Sequence, residues 1–470
     1  MKIALIFTSL YLDKNWATLP VENEHMGVIP PLSLAYVAAI CERAGHQVII
    51  IDTIAERLTL DAVTKRLEDF SPDILGFTLT TYGFHQNLKY MRDLRKRINR
   101  PVIVGGWHLS LYPRESLTHQ EIDYGVLDEG DVTIPELLNA LEHKLPLVEV
   151  KGIAFRTPDG KVIVTEHRQP TQDIDSFPFP ALHLLKNELY HNILSHRKNF
   201  TAMISALGCP FRCAFCDLKT KVFRQRSAKS FVDEIEIARH RFGVKDIDIH
   251  DSSFTVNRGR VMAICEDIIK RKLDVSFTIR TRADCVDKEV LRLLSEAGCS
   301  TIMYGIESGS PQILKLLHKG SDLEHIREVV QWTKKLGMKS LGFFMIGSPT
   351  ETIQDVENTI RFSQSLDLDY VRFSRVTAVP NTELYDMYLK TVDKDYWAEY
   401  TLNPDNVGDL PMVQTNITDN EAYYYVKKAY ISYYFRPSYL LKAVLRMRSW
   451  LEFTNSFKAG VDLLFSRHKK

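Results

Sequence analysis

Residues 205–218 read SALGCPFRCAFCDL and place three of the chain's seven cysteines, Cys209, Cys213 and Cys216, within eight positions as CxxxCxFC, with Phe215 directly before the last. Three readings compete. A structural zinc is closed and tetrahedral and wants a fourth thiolate or imidazole nearby, whereas the next cysteine, Cys265, lies about fifty residues on in a helix-like stretch. Three unrelated core cysteines are the plainest option, but cysteine is rare and these three cluster directly after a strand-like run. A [4Fe–4S] cluster takes one thiolate per iron, so three thiolates leave one iron open to bind and activate a small molecule. That accounts for a count of three rather than four.

Outward from this loop, short apolar β-branched runs alternate with helical stretches. Strands are expected near residues 201–205, 246–250, 275–280, 301–306, 340–346 and 370–375, each followed by a helix. Six such units are fewer than the eight of a closed barrel, so a partial (βα)6 TIM-like barrel is expected, with its chemistry at the C-terminal ends of the strands. Upstream, KIALIF, QVIIID, DILGFTL, PVIVGG and DYGVL alternate with helical stretches, the pattern of a doubly wound, Rossmann-like (flavodoxin-like) parallel sheet. Gly45 stands where the helix ending at Arg43 and Ala44 needs a left-handed cap. KGIAFRTPDGKVIVTEHR predicts a hairpin turning at Asp159-Gly160, and DSFPFPALHLL reads as a linker. Thr418 and Glu421 form a capping box, and Pro437 ends the helix that follows. The expected organisation is α/β: residues 1–148 a Rossmann-like domain, 149–198 a linker with a hairpin, 199–400 the partial barrel, and 401–470 a small helical, aromatic and basic C-terminal region.

Bulk properties narrow the function class. With 470 residues, 45% hydrophobic and 25% charged, two or three globular domains are expected. A net charge of +1 gives no overall bias toward nucleic acid, and no nucleic-acid partner is expected. No apolar run approaches the roughly 18–20 residues that span a bilayer, and the N-terminus lacks a cleavage signal, so a cytoplasmic location is expected. Seven cysteines, three of them clustered, suit a reduced compartment better than a disulfide framework. Cys41, Cys265, Cys285 and Cys299 read as buried small hydrophobes.

CxxxCxFC after the first strand of a partial barrel resembles the radical S-adenosylmethionine (radical SAM) enzymes. The resemblance implies that Cys209, Cys213 and Cys216 ligate a [4Fe–4S] cluster whose open iron is chelated by the amino and carboxyl groups of S-adenosyl-L-methionine. One electron then cleaves the sulfonium to a 5′-deoxyadenosyl radical, and an electron donor such as flavodoxin or ferredoxin is implied as a partner. Phe215 is carried with the cofactor-binding positions. HDSSFTVN is similar to the family's D-x-x-F-T turn and implies that Asp251 contacts a polar end of the nucleoside. YGIESGS implies that Glu307 and Ser308 help hold S-adenosyl-L-methionine. GFFMIGSPTET is similar to G-x-x-x-x-G-x-P-x-E-T, whose glycines, Gly347 among them, would let backbone approach the adenosyl group. VRFSRVTAVPNTELY resembles the adenine-lining segment. Plainer readings stand beside these: Glu307 as the cap of the next helix, and Gly347-Ser348-Pro349 as an ordinary turn. Arg280 and Arg282 in IRTRAD stay open between neutralising a carboxylate of cofactor or substrate and a salt-bridged rim.

In the front domain, TLTTY follows the third strand and VGGWHLS the fourth. Gly105 and Gly106 lack side chains where a flat ligand would cross, and Thr78, Thr80 and Thr81 offer hydroxyls. GxGxxG is absent, which argues against a dinucleotide. PPLSLAYVAAICERAGHQVIIID, the double glycine and DYGVLDEGD resemble the cobalamin-binding domain fused to one large branch of the radical SAM enzymes. DxHxxG, whose histidine ligates cobalt from below, is missing: after Asp52 the loop reads TIAERL. Members of that branch commonly lack it, which implies cobalamin with no histidine below the metal. His108 is carried as a candidate cofactor contact, against a plainer reading as a loop histidine bonded to backbone. The rival for the domain is a sheet that has lost cobalamin and only scaffolds the barrel.

The resemblance implies a cobalamin-dependent radical SAM enzyme, expected to methylate an unactivated carbon of a small-molecule or lipid substrate. The alternatives are oxidative cyclisation or ring rearrangement, as in the anaerobic cyclase of chlorophyll synthesis, and a non-enzymatic cobalamin or iron–sulfur sensor. Cofactors carry such chemistry, so no side chain is assigned as a catalytic residue. Residues 421–470 hold ten basic against three acidic residues, with Tyr423, Tyr424, Tyr425, Tyr430, Tyr433, Tyr434 and Trp450 among them. This tail is expected either to touch a membrane surface peripherally or to close the mouth of the barrel as an aromatic helix.

Overall fold

The computed structural model describes residues 1–8, 27–192, 194–195, 197–220 and 222–446. Strands β1 (Lys2–Phe7), β2 (Gln47–Asp52), β3 (Ile74–Thr78), β4 (Val102–Gly105) and β5 (Tyr124–Val126) pair in parallel in the order β2-β1-β3-β4-β5. Along β1, Ile3, Leu5 and Phe7 enter one core with helices α1 (Leu32–Arg43) and α4 (Gly130–His143). Ala4 and Ile6 enter a second core with α2 (Leu60–Phe70) and α3 (Phe84–Arg95). Burial on both faces is why these strands read as unbroken apolar runs rather than as alternations. Gly45 takes φ +88° directly after α1, as a left-handed stop requires.

The hairpin read as part of a linker is instead the edge of this sheet. Strands β6 (Ile153–Arg156) and β7 (Val162–Val164) add antiparallel to β5, turning through Gly160 at φ +83°.

Strands β8 (Phe200–Met203), β9 (Asp246–Ile249), β10 (Ser276–Thr281), β11 (Cys299–Glu307), β12 (Lys339–Ile346) and β13 (Tyr370–Arg375) form a second, all-parallel sheet in chain order. β8 and β13 do not pair with each other, so the barrel stays open. Side chains alternate across each strand. Ile247, Ile249, Phe277, Ile279, Ile302, Tyr304, Phe344 and Phe373 face the outer helices in one continuous core, which leaves Asp248, Arg280, Met303, Phe343 and Arg372 on the inward face. The two units are joined by the second core, where Leu79, Leu109 and Tyr112 of the front sheet meet Ala214, Leu384, Tyr385, Trp397 and Tyr400. Arg224, almost fully buried, pairs with Glu129 across the same junction.

The last strand of an open sheet exposes unpaired backbone groups. Helix α11 (Asp419–Tyr434), as numbered after α5 (Ala228–Phe242), α6 (Arg258–Lys270), α7 (Lys288–Glu296), α8 (Leu323–Lys335), α9 (Ile353–Ser365) and α10 (Tyr396–Leu402), covers that edge. It begins with the expected capping box of Thr418 and Glu421. The Tyr430 hydroxyl accepts from the Phe373 amide and donates to the Phe373 carbonyl, both at 3.1 Å. Tyr434 does the same for Val371 at 3.0 and 2.9 Å, and Tyr439 donates to the Asp369 carbonyl at 3.0 Å. These tyrosines therefore act as strand-edge partners from the outer side of the sheet, so the helix covers the barrel's edge rather than its mouth. Arg448 and Trp450 lie outside the described residues. Among the described residues no helix is long and apolar enough to cross a membrane.

Replacing Tyr430 and Tyr434 together by Phe keeps the packing and strips two amides and two carbonyls of their partners. The double variant is expected to lose about 2–4 kcal/mol in urea unfolding; a loss below about 0.5 kcal/mol would show that water replaces the hydroxyls.

Candidate functional site

The cysteine loop leaves the C-terminal end of β8 and is fixed there by a buried carboxylate. Asp251, just past β9, is fully buried and accepts from the Ser205 amide at 2.6 Å, the Ala206 amide at 3.0 Å and the Ser205 hydroxyl. Burial pushes this carboxyl up, while the Ser205 and Ala206 bonds and the nearby Arg260 guanidinium oppose it. Arg260 in turn donates to the Ser205 carbonyl at 3.0 Å and the Arg226 carbonyl at 2.6 Å. Gly208 then turns the chain at φ +73° into Cys209.

Cys213 is buried, and Cys209 and Cys216 are half-buried. Burial raises the Cys209 thiol, opposed by the Phe211 amide, Arg282 and Lys319. Cys216 is pushed up to about 11 by burial against the Leu218 amide, with Asp217 and the other two thiols adding to the rise. Arg282 organises the loop: it donates to the Cys213 sulfur at 3.7 Å and stacks 4.2 Å over the Phe211 ring. It also grips Asp284 at 2.8 and 2.6 Å and donates to the Lys319 carbonyl. The Lys319 ammonium meets Glu307 at 3.1 Å, with both side chains buried. Glu307 takes a left-handed φ of +71°, and a Cβ on Gly305 would stand 2.6 Å from its carboxylate and 2.8 Å from the Lys319 ammonium.

The three thiols lie along one loop beside two cations, Arg282 and Lys319. That arrangement fits a cluster that takes one thiolate per iron and whose net negative charge the cations offset.

At the carboxyl ends of the front sheet, Thr78 and Thr80 are half-buried. A Cβ on Gly105 would meet nothing nearer than the Val126 carbonyl at 4.0 Å, so its face is open. The loop after Asp52 is held by that side chain, which accepts from the Ile54 and Ala55 amides at 3.0 and 2.9 Å and from the Tyr190 hydroxyl at 3.0 Å. A cleft of about 520 Å³ opens beside it between Ile54, Arg57, Lys186 and Leu189; no sequence signal marked it. The segments that follow the carboxyl ends of the two sheets pack on one another: Leu79 after β3 and Leu109 after β4 share a core with Ala214 of the cysteine loop and with Val376 and Ala378 after β13.

Residues 203–363 match the radical SAM superfamily and residues 23–138 the B12 binding domain. The chain is 34% identical over 435 residues to an uncharacterized methyltransferase of Pyrococcus horikoshii, covering 90% of this chain and 91% of that one. It belongs to the radical SAM superfamily, with a B12-binding domain in front. The anaerobic magnesium-protoporphyrin IX monomethyl ester cyclase of Rubrivivax gelatinosus is 28% identical over 451 residues, covering 90% of this chain and 80% of that one. In fold, the chain is similar to the radical S-adenosylmethionine methyltransferase TsrM from Kitasatospora setae with cobalamin and [4Fe-4S] cluster bound. That match has a TM-score of 0.70 at 19% identity and covers 91% of this chain and 90% of that one. It is also similar to the cobalamin-dependent radical enzyme OxsB with aqua-cobalamin bound, with a TM-score of 0.73 at 18% identity, covering 98% of this chain and 72% of that one. The cofactors of this radical SAM protein are thus a [4Fe–4S] cluster, S-adenosyl-L-methionine and cobalamin.

Several residues expected to touch these cofactors do other work. Asp251 braces the cysteine loop instead of reaching a nucleoside. The Ser308 hydroxyl is fully buried, 3.0 Å from the Thr359 hydroxyl on α9, and accepts from the Ser310 amide. His108 is fully buried, with one ring nitrogen 3.2 Å from the Thr81 hydroxyl and the other 3.1 Å from that of Thr401. Burial holds its pKa down to about 3, so neither nitrogen nor charge is left for a corrin. Gly106, at φ +109°, is required by its own chain: a Cβ would lie 2.4 Å from the Leu79 carbonyl. Gly342 faces Leu368 of the outer packing rather than an adenosyl group. Arg280 is salt-bridged to Asp248 at 2.7 and 3.1 Å. Glu307 pairs with Lys319 instead of capping the next helix, and Cys285 is half-buried rather than core. Phe215 packs at the edge of the core shared by the two domains. Arg282 was singled out, and it is salt-bridged to Asp284 as one of its two readings has it, but its contact with the cysteine loop was not foreseen; Lys319 and Glu351 were missed. Glu351 alone carried a signal, the Glu of the P-x-E-T turn. It is fully buried and accepts from the Gly347 and Ser348 amides at 2.6 and 3.0 Å, with Gly347 at φ +96°.

Two outcomes follow from these contacts. Asp251→Ala leaves buried amides without an acceptor and Arg260 without its counter-charge, and is expected to lose about 3–5 kcal/mol in urea unfolding. Burial pushes Glu351 from 4.5 to about 7 despite its two amide bonds. Its protonated form is therefore favoured on folding, and that stability is full below about pH 4.5 and is lost as pH rises through 7. Glu351→Gln keeps the acceptor without the charge, so its melting temperature should fall less than the wild type's between pH 5 and 7.5; parallel profiles would refute the assignment.

Proposed function

We propose that this radical SAM protein methylates an unactivated carbon of a small-molecule or lipid substrate with cobalamin. The observation that carries the reading is the core shared by the segments after both sheets' carboxyl ends, which sets the cysteine loop of one domain and the strand end at Gly105 of the other on the same junction. A methyl donor and a hydrogen-abstracting centre must reach the same carbon, and a shared junction gives both access. When bound, the cluster with S-adenosyl-L-methionine supplies abstraction of a hydrogen atom, and cobalamin supplies the methyl group.

Cys209, Cys213 and Cys216 hold the cluster, and Arg282 and Lys319 offset its charge. Asp251 sets the height of the loop above β8, and Phe215 with the shared core excludes water from its inner side. Thr78, Thr80 and Gly105 would accommodate the corrin, and the TIAERL loop would offer it no histidine. A small electron-transfer protein such as flavodoxin or ferredoxin delivers the electron. Oxidative cyclisation is the second reading, favoured by the likeness to the Rubrivivax gelatinosus cyclase.

Anaerobic turnover in cell extract with S-adenosyl-L-methionine carrying a trideuterated methyl group tests this. A product gaining the labelled methyl is expected. An altered product without label, formed together with 5′-deoxyadenosine, would move the chain to cyclisation. No 5′-deoxyadenosine above background with the cluster intact would end the enzyme reading. Cys213→Ala is expected to bring both bound iron and 5′-deoxyadenosine to background.

A further inference from the structure

The inward face of the open barrel is divided in charge. On the β9–β10 side, Asp248 is buried and already satisfied, accepting from both Arg280 and His250. Burial would raise its carboxyl, but these two partners outweigh that and hold it at about 2. Glu307, higher on the inward face, is satisfied by Lys319. On the β12–β13 side the picture is reversed. Burial alternates residue by residue along β12, with Leu341, Phe343 and Met345 half-buried and their outward neighbours buried. Leu341 and Phe343, which pack against neither core, therefore give the lumen an apolar wall, and Met345 above them packs against the core shared by the two domains. Cross-strand register sets Arg372 of β13 against Phe343. Its neighbours Val371 and Phe373 face the outer core, so the Arg372 side chain belongs to the inward face. Arg372 is exposed, and among the described residues it has no hydrogen bond or ion pair.

A guanidinium does not give up its proton. A ligand that fills the lumen takes water away from Arg372, and a desolvated, unpaired cation is strongly unfavourable. Asp248 and Glu307 are committed elsewhere, and Asp246 at the start of β9 is buried and accepts from the Arg197 amide, so the counter-charge has to arrive with the ligand. We propose that the lumen binds a small molecule with an apolar body lying on Leu341 and Phe343 and a terminal oxyanion, carboxylate or phosphate, on Arg372. This rests on the reading above that the barrel receives the substrate, and it narrows the substrate class.

The test is equilibrium dialysis of the anaerobically reconstituted full-length protein, without turnover, against three probes that share one apolar body: dodecanoate, dodecyl phosphate and dodecan-1-ol. At least one anion is expected to bind about tenfold tighter than the alcohol, and the tighter of the two assigns the oxyanion. Arg372→Gln, with iron content and circular dichroism equal to wild type, should erase the preference while leaving the alcohol's affinity unchanged. Arg372→Lys should keep part of the preference, and Phe343→Ala should weaken all three probes. Equal binding of alcohol and anions by the wild type, a preference that survives in Arg372→Gln, or a loss confined to S-adenosyl-L-methionine affinity would overturn the proposal. Failure of the enzyme reading shows separately, as absence of 5′-deoxyadenosine from the wild type, and leaves the dialysis result interpretable.

Discussion

Three thiolates in eight residues repel one another, and the chain can present them together only if positive charge is built in beside them. Arg282 is that charge. It touches the Cys213 sulfur and the Phe211 ring of the same loop, and Asp284 fixes the direction of the guanidinium. Its bond to the Lys319 carbonyl ties the loop to a second cation whose own burial is balanced by Glu307. The left-handed backbone at Glu307 and the missing side chain at Gly305 are both consequences of fitting that pair under the loop. An orienting network of this kind matters as much to a metal centre as the ligands themselves.

The same economy governs the barrel's open edge. Six strands leave the lumen accessible from one side, but they also leave β13 with bare amides and carbonyls. A seventh strand would close the opening. Tyrosine hydroxyls satisfy the edge without occupying the lumen, since each phenol reaches the backbone from the outer helix and both accepts and donates at one residue. The aromatic density that marked residues 421–439 in the sequence is thus a hydrogen-bonding device as well as a packing one.

How much was legible follows from which signals are local. The six barrel strands were found to within one or two residues, because alternation of apolar runs and helices is written along the chain, and the thiol triplet was found because its ligands are adjacent. The hairpin's pairing with β5 was not legible, since register across a sheet edge depends on contacts distant in sequence. Asp251, Ser308 and His108 were placed in the right loops and given the wrong partners. A buried polar side chain at a strand end serves either a ligand or its neighbouring backbone, and only packing decides which. Arg282 stood out in IRTRAD but its partner on the cysteine loop did not, since that partner lies 69 residues away, and Lys319 gave no usable signal. Gly105 and Gly106 look identical in sequence, yet one leaves a face open and the other is pinned by the Leu79 carbonyl.

That last contrast bears on how two large cofactors share one protein. The front sheet spends its carboxyl-end polar groups on itself: Asp52 on its own loop and on Tyr190, and His108 with Thr81 on the helix that ends at Leu402. These bonds hold β2, β4 and the segment after β13 in fixed relation, and they do so without a ligand. The carboxyl end of the front sheet is therefore braced by its own side chains, and around Gly105 it presents backbone and small side chains. A domain stiffened in this way holds its own strand ends in fixed relation to the cysteine loop through the core the two domains share, and packing of that density does not need a ligand to set it.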